Sequence, residues 1–348
     1  MAFHDSSCPV CRTPLGYDSQ ARKLFALDPV LDDSQEPVAR AAVRYRRCAR
    51  VDSAAACNWL VAEADVRPGE PPLCRCCRLT RVLPDLSQPA VATWWHDIEE
   101  AKRRLVSTLI GLQLPVPGRD EDAELGLAFD LLQAQPGAPP VCSGQVNGVI
   151  TVDVEAADDA WRRQLRLTQA LPYRSLLADL RHDSAGAYWQ RLVDNGPWLK
   201  PCRELFGDER LDHTLAMRLH ARHGAPAHWN NRFISSHASS HPAEDWAETW
   251  AAYLHIVDTL ETAQGFGLDC DRFAACIDPV GEAAVSWSYG PQAEDFLRLI
   301  NQWLGLRHVF DAMWRNMGVA DIGPGVLSLP VLRKLFLVHC VIAAARGH

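Results

Sequence analysis

Seven of the twelve cysteines lie within the first 77 residues. That crowding constrains the fold more than any other feature, because a segment rich in Cys, Arg and Pro is too small to have a hydrophobic core of its own. Cys8-Pro-Val-Cys11 and Cys74-Arg-Cys-Cys77 each place two thiols three positions apart, the interval at which a tight knuckle presents two sulfurs to one tetrahedral zinc. Cys48 and Cys57 form a wider pair. Metal bound by such a segment folds it, since the free energy of binding becomes free energy of folding. Cys48, Cys57, Cys74 and Cys77 make the best single site, and its zinc is expected to be structural. Cys8 and Cys11 need two further ligands, for which His4 and Cys76 are candidates. The competing reading is a set of free buried thiols, and a redox role is disfavoured because no βαβ pattern surrounds either pair.

Clustered cysteines read as metal ligands in a reducing compartment, where disulfides do not persist. No apolar run approaches the roughly 18 residues of a membrane span, and the start Met1-Ala2-Phe3-His4-Asp5 lacks the basic-then-apolar order of a signal peptide. The protein is therefore expected in the cytoplasm, away from the membrane. The formal net charge of −8 disfavours nucleic acid as a partner. One dense basic run, Arg40, Arg44, Arg46, Arg47 and Arg50, reads as a solvated face beside a metal site. Cys142, Cys202, Cys270, Cys276 and Cys340 are scattered and read as small core residues.

A chain of 348 residues, 48% hydrophobic, has the length of about two domains. Residues 1–88 form the cysteine module and close at Leu83-Pro84-Asp85-Leu86-Ser87; residues 89–348 form the second domain. From Ala92 to Leu114, Trp94, Trp95, Ile98, Ala101, Leu105, Leu109 and Leu112 recur at three and four, the period of an amphipathic helix that ends before Pro115. Residues 149–154 are β-branched after a turn and predict a strand. Helices are predicted at 158–170, 172–194, 208–224, 242–264, 291–315 and 329–345, while 266–290 carry no clear pattern. The fold class is α+β, mostly helical.

His182 followed by Asp183 sits in the middle of the 172–194 helix. A metallopeptidase helix uses His-Glu-x-x-His, because positions i and i+4 share a face and the Glu reaches the metal-bound water as general base. Here the i+4 position is Gly186 and the Glu position is Asp183. A second constellation follows Pro242, where Glu244 and Glu248 lie one turn apart on one face, with Asp245 between them. From spacing alone these acids are ordinary helix-start residues facing the positive end of the dipole.

Several specific words in fixed order carry a resemblance: Leu15-Gly16-Tyr17, Cys57-Asn-Trp-Leu60, Gly126-Leu-Ala-Phe-Asp130, Pro172-Tyr-Arg174, Phe206-Gly-Asp-Glu-Arg210 and Ser240-His-Pro-Ala-Glu-Asp-Trp-Ala-Glu-Thr-Trp250. Nearly end to end, the chain resembles a bacterial family of zinc-binding metallopeptidases with an N-terminal zinc ribbon. The family's helix reads Arg-His-Glu-x-Gly-His-Tyr-Tyr-Trp, with which Arg181 to Trp189 aligns without a gap. The resemblance implies a zincin-like domain in which His182 is the first zinc ligand, Asp183 replaces the general base and Gly186 replaces the second histidine. It further implies Glu244 as third ligand, Glu248 behind it, and 149–154 as the edge strand that pairs with an extended substrate. The family's ribbon also has a further Cys-x-x-Cys ahead of Cys8, absent here.

The departures predict a catalytically impaired member whose large domain retains a groove for a peptide or protein partner. An alternative is an active zinc peptidase in which His220, His223, His237 or His241 compensates for Gly186; another is a scaffold whose ribbon makes the main contact. Trp94, Trp95, Trp189, Trp246 and Trp250 could line a groove, although tryptophans at helical spacing are more often core.

Overall fold

The computed structural model describes residues 3–27, 38–40, 43–135, 137, 139–158, 160–163, 175–285, 291–318 and 327–346. The chain divides into two compact units, 1–170 and 171–348. It is α+β and mostly helical, and none of its described helices is long and apolar enough to cross a membrane.

In the first unit β1 (Leu15–Asp18) pairs antiparallel with β2 (Lys23–Ala26), and β3 (Val38–Arg40), β4 (Val43–Arg47) and β5 (Leu60–Ala62) form an antiparallel meander. The short helix α1 (Arg75–Arg78) leads into β6 (Thr80–Val82), and the long helix α2 (Pro89–Gly111) follows. Pro89 at a first-turn position starts α2 slightly earlier than the apolar period predicts, and Gln113, at φ 58°, turns the chain before Pro115. The last sheet has the order β6, β7 (Ala128–Leu132), β9 (Val149–Asp153), β8 (Gly144–Val146), with β6, β7 and β9 parallel and β8 antiparallel. Asn147 and Gly148, at φ 48° and 81°, make the tight β8–β9 turn, the Asn-Gly signature of a two-residue hairpin. The strand predicted at 149–154 is present, but it is not an edge. β9 is paired on both sides, and the antiparallel edge is β8, because the hairpin folds residues 144–146 back along it.

α2 supplies much of this unit's core, with Ile98, Leu105, Val106 and Leu109 fully buried. It also grips the cysteine-rich segment by polar contacts: Tyr17 Oη lies 2.7 Å from Ser107 Oγ, and Arg103 donates to the Ala55 carbonyl at 3.0 Å.

The second unit is built around two helices, α3 (Leu176–Leu192) and a longer one, Pro242–Gly265. Between them lie α4 (Leu199–Phe206) and α5 (His213–His223); the long helix is α6, followed by α7 (Cys270–Ala274), α8 (Pro291–Asn316) and α9 (Leu329–Ala345). Ser175 caps α3 by accepting the Ala178 amide at 3.2 Å, so the helix starts there, and residues 172–174 lie outside the described region. Of the helix predicted at 158–170, residues 160–163 are helical and 164–170 lie outside the described region. α5 is shorter than the predicted 208–224 because Asp212 caps it, accepting the Leu215 amide at 2.9 Å.

α3 and α6 are locked in register by indole hydrogen bonds. Trp246 donates to the Ala185 carbonyl and Trp250 to Ser184 Oγ, each at 3.1 Å. Trp250 stacks on Tyr188 at 5.0 Å, and Trp246 meets Trp189 edge-on at 5.2 Å. Trp95, Trp246 and Trp250 are therefore core, as helical spacing favours. Cys202, Cys270 and Cys340 are buried as expected, whereas Cys142 and Cys276 are exposed, since both fall in connecting segments instead of on a packed face.

Asp245, on the first turn of α6, is fully buried, and its partner is Lys334 of α9, whose Nζ lies 2.5 Å from Oδ2. Lys334 also donates to the Arg232 carbonyl at 2.9 Å and sits 4.5 Å from the Phe233 ring centre. Burial pushes the Asp245 carboxyl up to about 7 in spite of that lysine. Lys334→Met is expected to destabilise the second unit by about 3–5 kcal/mol, the usual result of stranding one member of a buried pair, as read from urea unfolding.

Candidate metal centres

Cys48 follows β4 and Cys57 precedes β5, so one hairpin carries the first pair; Cys74 and Cys77 bracket the start of α1. All four are buried, and their sulfurs converge. Cys74 caps α1, its sulfur accepting the Cys77 amide at 3.4 Å, while Cys48 accepts the Cys74 amide at 3.4 Å. The Cys57 and Cys74 sulfurs are 3.7 Å apart. Tetrahedral zinc with bonds of about 2.3 Å requires edges of about 3.8 Å, so the donor set fits the ion. Burial pushes the Cys74 thiol up, while hydrogen bonds from Cys57, Cys74 and Cys77 hold Cys48 far below the thiol range. A divalent ion would take the place of those protons.

The charge of this cluster is met from α2 and from Arg50. Lys102 and Arg103 are buried beside Cys76 and Cys77, with Arg103 also beside Cys57. Lys102 Nζ pairs with buried Glu99 at 2.7 Å, and Arg50 approaches the same carboxylate at 3.6 Å. Three cations and one anion leave an excess of two positive charges, matching the two negative charges that four thiolates leave on a divalent ion.

Cys8 and Cys11 are not drawn into this cluster. Cys11 is exposed, 3.1 Å from Thr13 Oγ1, and hydrogen bonds from Thr13 lower its thiol to about 7. His4 pairs with Glu100 at 3.2 Å and Cys76 is buried beside Lys102, so neither is committed to Cys8 and Cys11. Among the described residues no third donor joins this pair.

In the second unit the α3–α6 register sets His182 against Glu244 and Glu248. His182 Nε2 lies 3.0 Å from Glu244 Oε2 and 3.7 Å from Glu248 Oε1. His237, on the short turn His237–Ser239, places its Nε2 2.8 Å from the same Glu244 oxygen. His182, His237 and Glu248 offer donor atoms that all lie within 4.8 Å of one another. His213, at the start of α5, meets the other oxygen, Glu244 Oε1, at 2.7 Å. Burial disfavours charge on His182, but hydrogen bonds to Asp183 and Glu244 outweigh it and raise the imidazole to about 10. Burial likewise opposes charge on Glu244, yet the surrounding histidines hold it well below the carboxylate range. A negative pocket that collects imidazoles in this way has the chemistry of a cation site.

Gly186 has no side chain to contribute. Of the four histidines considered as substitutes, only His237 reaches the cluster through its ring among the described contacts. His220 Nε2 donates to the Ser236 carbonyl at 3.0 Å. His241 spends both nitrogens on backbone, Nδ1 accepting from the Ala243 amide and Nε2 donating to the Leu211 carbonyl, each at 3.0 Å. His223 ends α5 and is exposed. His213 escaped sequence reasoning because Asp212-His213 reads only as a helix start. Asp183 faces backward: its Oδ1 lies 3.4 Å from His182 Nδ1, the ring nitrogen remote from Glu244.

Residues 91–341 match the family described as "Putative zinc-binding metallo-peptidase", and residues 1–88 match a zinc-ribbon domain. The chain is 38% identical over 343 residues to an uncharacterized protein of Mycobacterium bovis, covering 98% of this chain and 92% of the relative. An uncharacterized protein of Mycobacterium tuberculosis matches with the same identity and coverage. No solved structure matches. With the four-cysteine centre and both matches spanning nearly its full length, this chain belongs to the zinc-binding metallopeptidase family and carries an N-terminal zinc ribbon.

Proposed function

We propose that this chain is a catalytically impaired member of its family: its second unit keeps a zinc site formed by His182, His237 and Glu244, with Glu248 behind them, and the chain binds a peptide or protein without efficient hydrolysis. Bound zinc would polarise a peptide carbonyl and acidify water. The observation that carries the impairment is the orientation of Asp183. Its carboxylate is hydrogen-bonded to the far nitrogen of His182, where it orients a ligand and fixes its tautomer, the work of an outer partner and not of a general base. A base must reach the attacking water at about 3 Å, and aspartate is one methylene shorter than the glutamate it replaces. Peptide binding is supported within the first unit by β8, whose outer edge pairs with no strand among the described residues and whose Val146 is 72% exposed, a site for strand addition.

A second reading, an active peptidase, is favoured by His237, which fills the ligand place that Gly186 vacates. The two separate on one assay. The unaltered protein should be silent towards peptide substrates, and Asp183→Glu with Gly186→His should raise hydrolysis by about 10²–10⁴-fold, the usual yield of a restored acid–base group. Chelator-sensitive cleavage by the unaltered protein would establish the second reading instead.

A further inference from the structure

We infer that His213 is a metal ligand of the second unit, a fourth protein donor that closes the coordination sphere from an exposed helix. The inference rests on the zinc site proposed above. Three imidazoles converge through Nε2 on one carboxylate: His182 and His237 on Glu244 Oε2, and His213 on Oε1.

His213 is held in place by contacts independent of Glu244. Asp212 caps α5 through the Leu215 amide at 2.9 Å. His241 anchors the preceding residue through the Leu211 carbonyl at 3.0 Å, and its ring meets His213 edge-on at 5.0 Å. His241 thus positions the neighbouring imidazole while its own nitrogens remain on backbone.

A catalytic zinc keeps one of four positions for water or substrate, whereas a structural zinc has all four filled by protein. His182, His237, His213 and Glu244 together fill four. The donors differ in what it costs to withdraw them. His182 and Glu244 lie on the packed helices α3 and α6, but α5 has no buried residue and runs between Gly207 and Gly224, at φ 104° and 74°. His213 is itself about half exposed, at 49% for its side chain, against 17% for His182 and 13% for Glu244. With His213 engaged the site holds metal without an open position; with His213 withdrawn, one opens.

The test uses the full chain, with the unaltered protein, His213→Ala and, as a control on the same helix, His223→Ala. Zinc transfer to a colorimetric chelator should show a slow phase from the cysteine centre and a second phase from this site, the second about 10–100-fold faster in His213→Ala and unchanged in His223→Ala. In the cobalt-loaded proteins, azide should alter the absorption spectrum of His213→Ala and leave that of the unaltered protein unchanged. Two outcomes overturn the assignment: equal azide responses in both, or zinc release from His213→Ala at the unaltered rate. If the unaltered chain holds zinc in the cysteine centre alone, the proposed zinc site falls and this inference with it; two zinc ions with a silent His213→Ala overturns only the latter.

Discussion

Cys74→Ser is expected to unfold the cysteine-rich part of the first unit. Cys74 is both a metal donor and the cap of α1, its sulfur accepting the Cys77 amide. Structural zinc in small modules contributes on the order of 10 kcal/mol or more, comparable with the whole stability of an ordinary domain, about 5–15 kcal/mol. The loss would spread to α2. Lys102 and Arg103 are buried beside the sulfurs, and without the negative centre Glu99 is the one anion among the described contacts left to balance them and Arg50. Cys74→Ser should therefore lose one zinc per chain and the near-ultraviolet dichroism of the Tyr17–Trp59 pair, whose rings lie 5.5 Å apart. Were the four cysteines merely buried thiols, the same change would cost about 1–3 kcal/mol and leave a cooperative transition with the zinc content unaltered.

The coupling of α2 to the zinc centre bears on how the chain is organised. The ribbon match ends at residue 88, yet two of the three cations that balance its thiolates, Lys102 and Arg103, lie inside the peptidase match. Tyr17 and Ser107 join the same two segments. The compact unit that runs through residue 170 agrees with this, because the ribbon and the helix that follows it share these buried charges and the Tyr17–Ser107 contact.

What was legible in the sequence was whatever had a fixed local spacing. The Cys74-x-x-Cys77 knuckle and the wider Cys48 and Cys57 pair identify the four-cysteine set, although the same spacing at Cys8 and Cys11 does not join it; the 3.6-residue period marks α2, α6, α8 and α9, and Asn-Gly marks the β8–β9 turn. Strand order was not legible, because β9 reads as a strand whether it lies at an edge or inside the sheet, and only the return of residues 144–146 decides. The histidines were harder. His182 and Glu244 stand in motif positions, but His237 and His213 reach the site through the fold of a short turn and an exposed helix, and nothing in their neighbours marks them as ligands. The direction of Asp183 was equally hidden, since a side chain next to a ligand in sequence can face the metal or the ligand's far nitrogen.

His237→Ala carries the largest expected effect on the second unit. In the proposed zinc site its imidazole stands in for the side chain that Gly186 lacks, and its removal leaves His182 as the motif's sole histidine beside Glu244, with His213 opposite. Zinc held by so few well-packed donors should bind more weakly by more than the ~10–100-fold typical of losing an outer partner, so purified protein should fall from about two zinc ions per chain to about one. His220→Ala is the matched control: it lies near His237, with ring centres 6.5 Å apart, but its Nε2 serves the Ser236 carbonyl. It should keep both ions. His237 is half-buried and its Nε2 contact is with Glu244, so the variant should remain folded, and circular dichroism would separate metal loss from unfolding. If elemental analysis finds two zinc ions in His237→Ala as in the unaltered chain, the compensating ligand is not His237, and the metal in this unit must be held by His182, Glu244 and Glu248 with help from His213 alone.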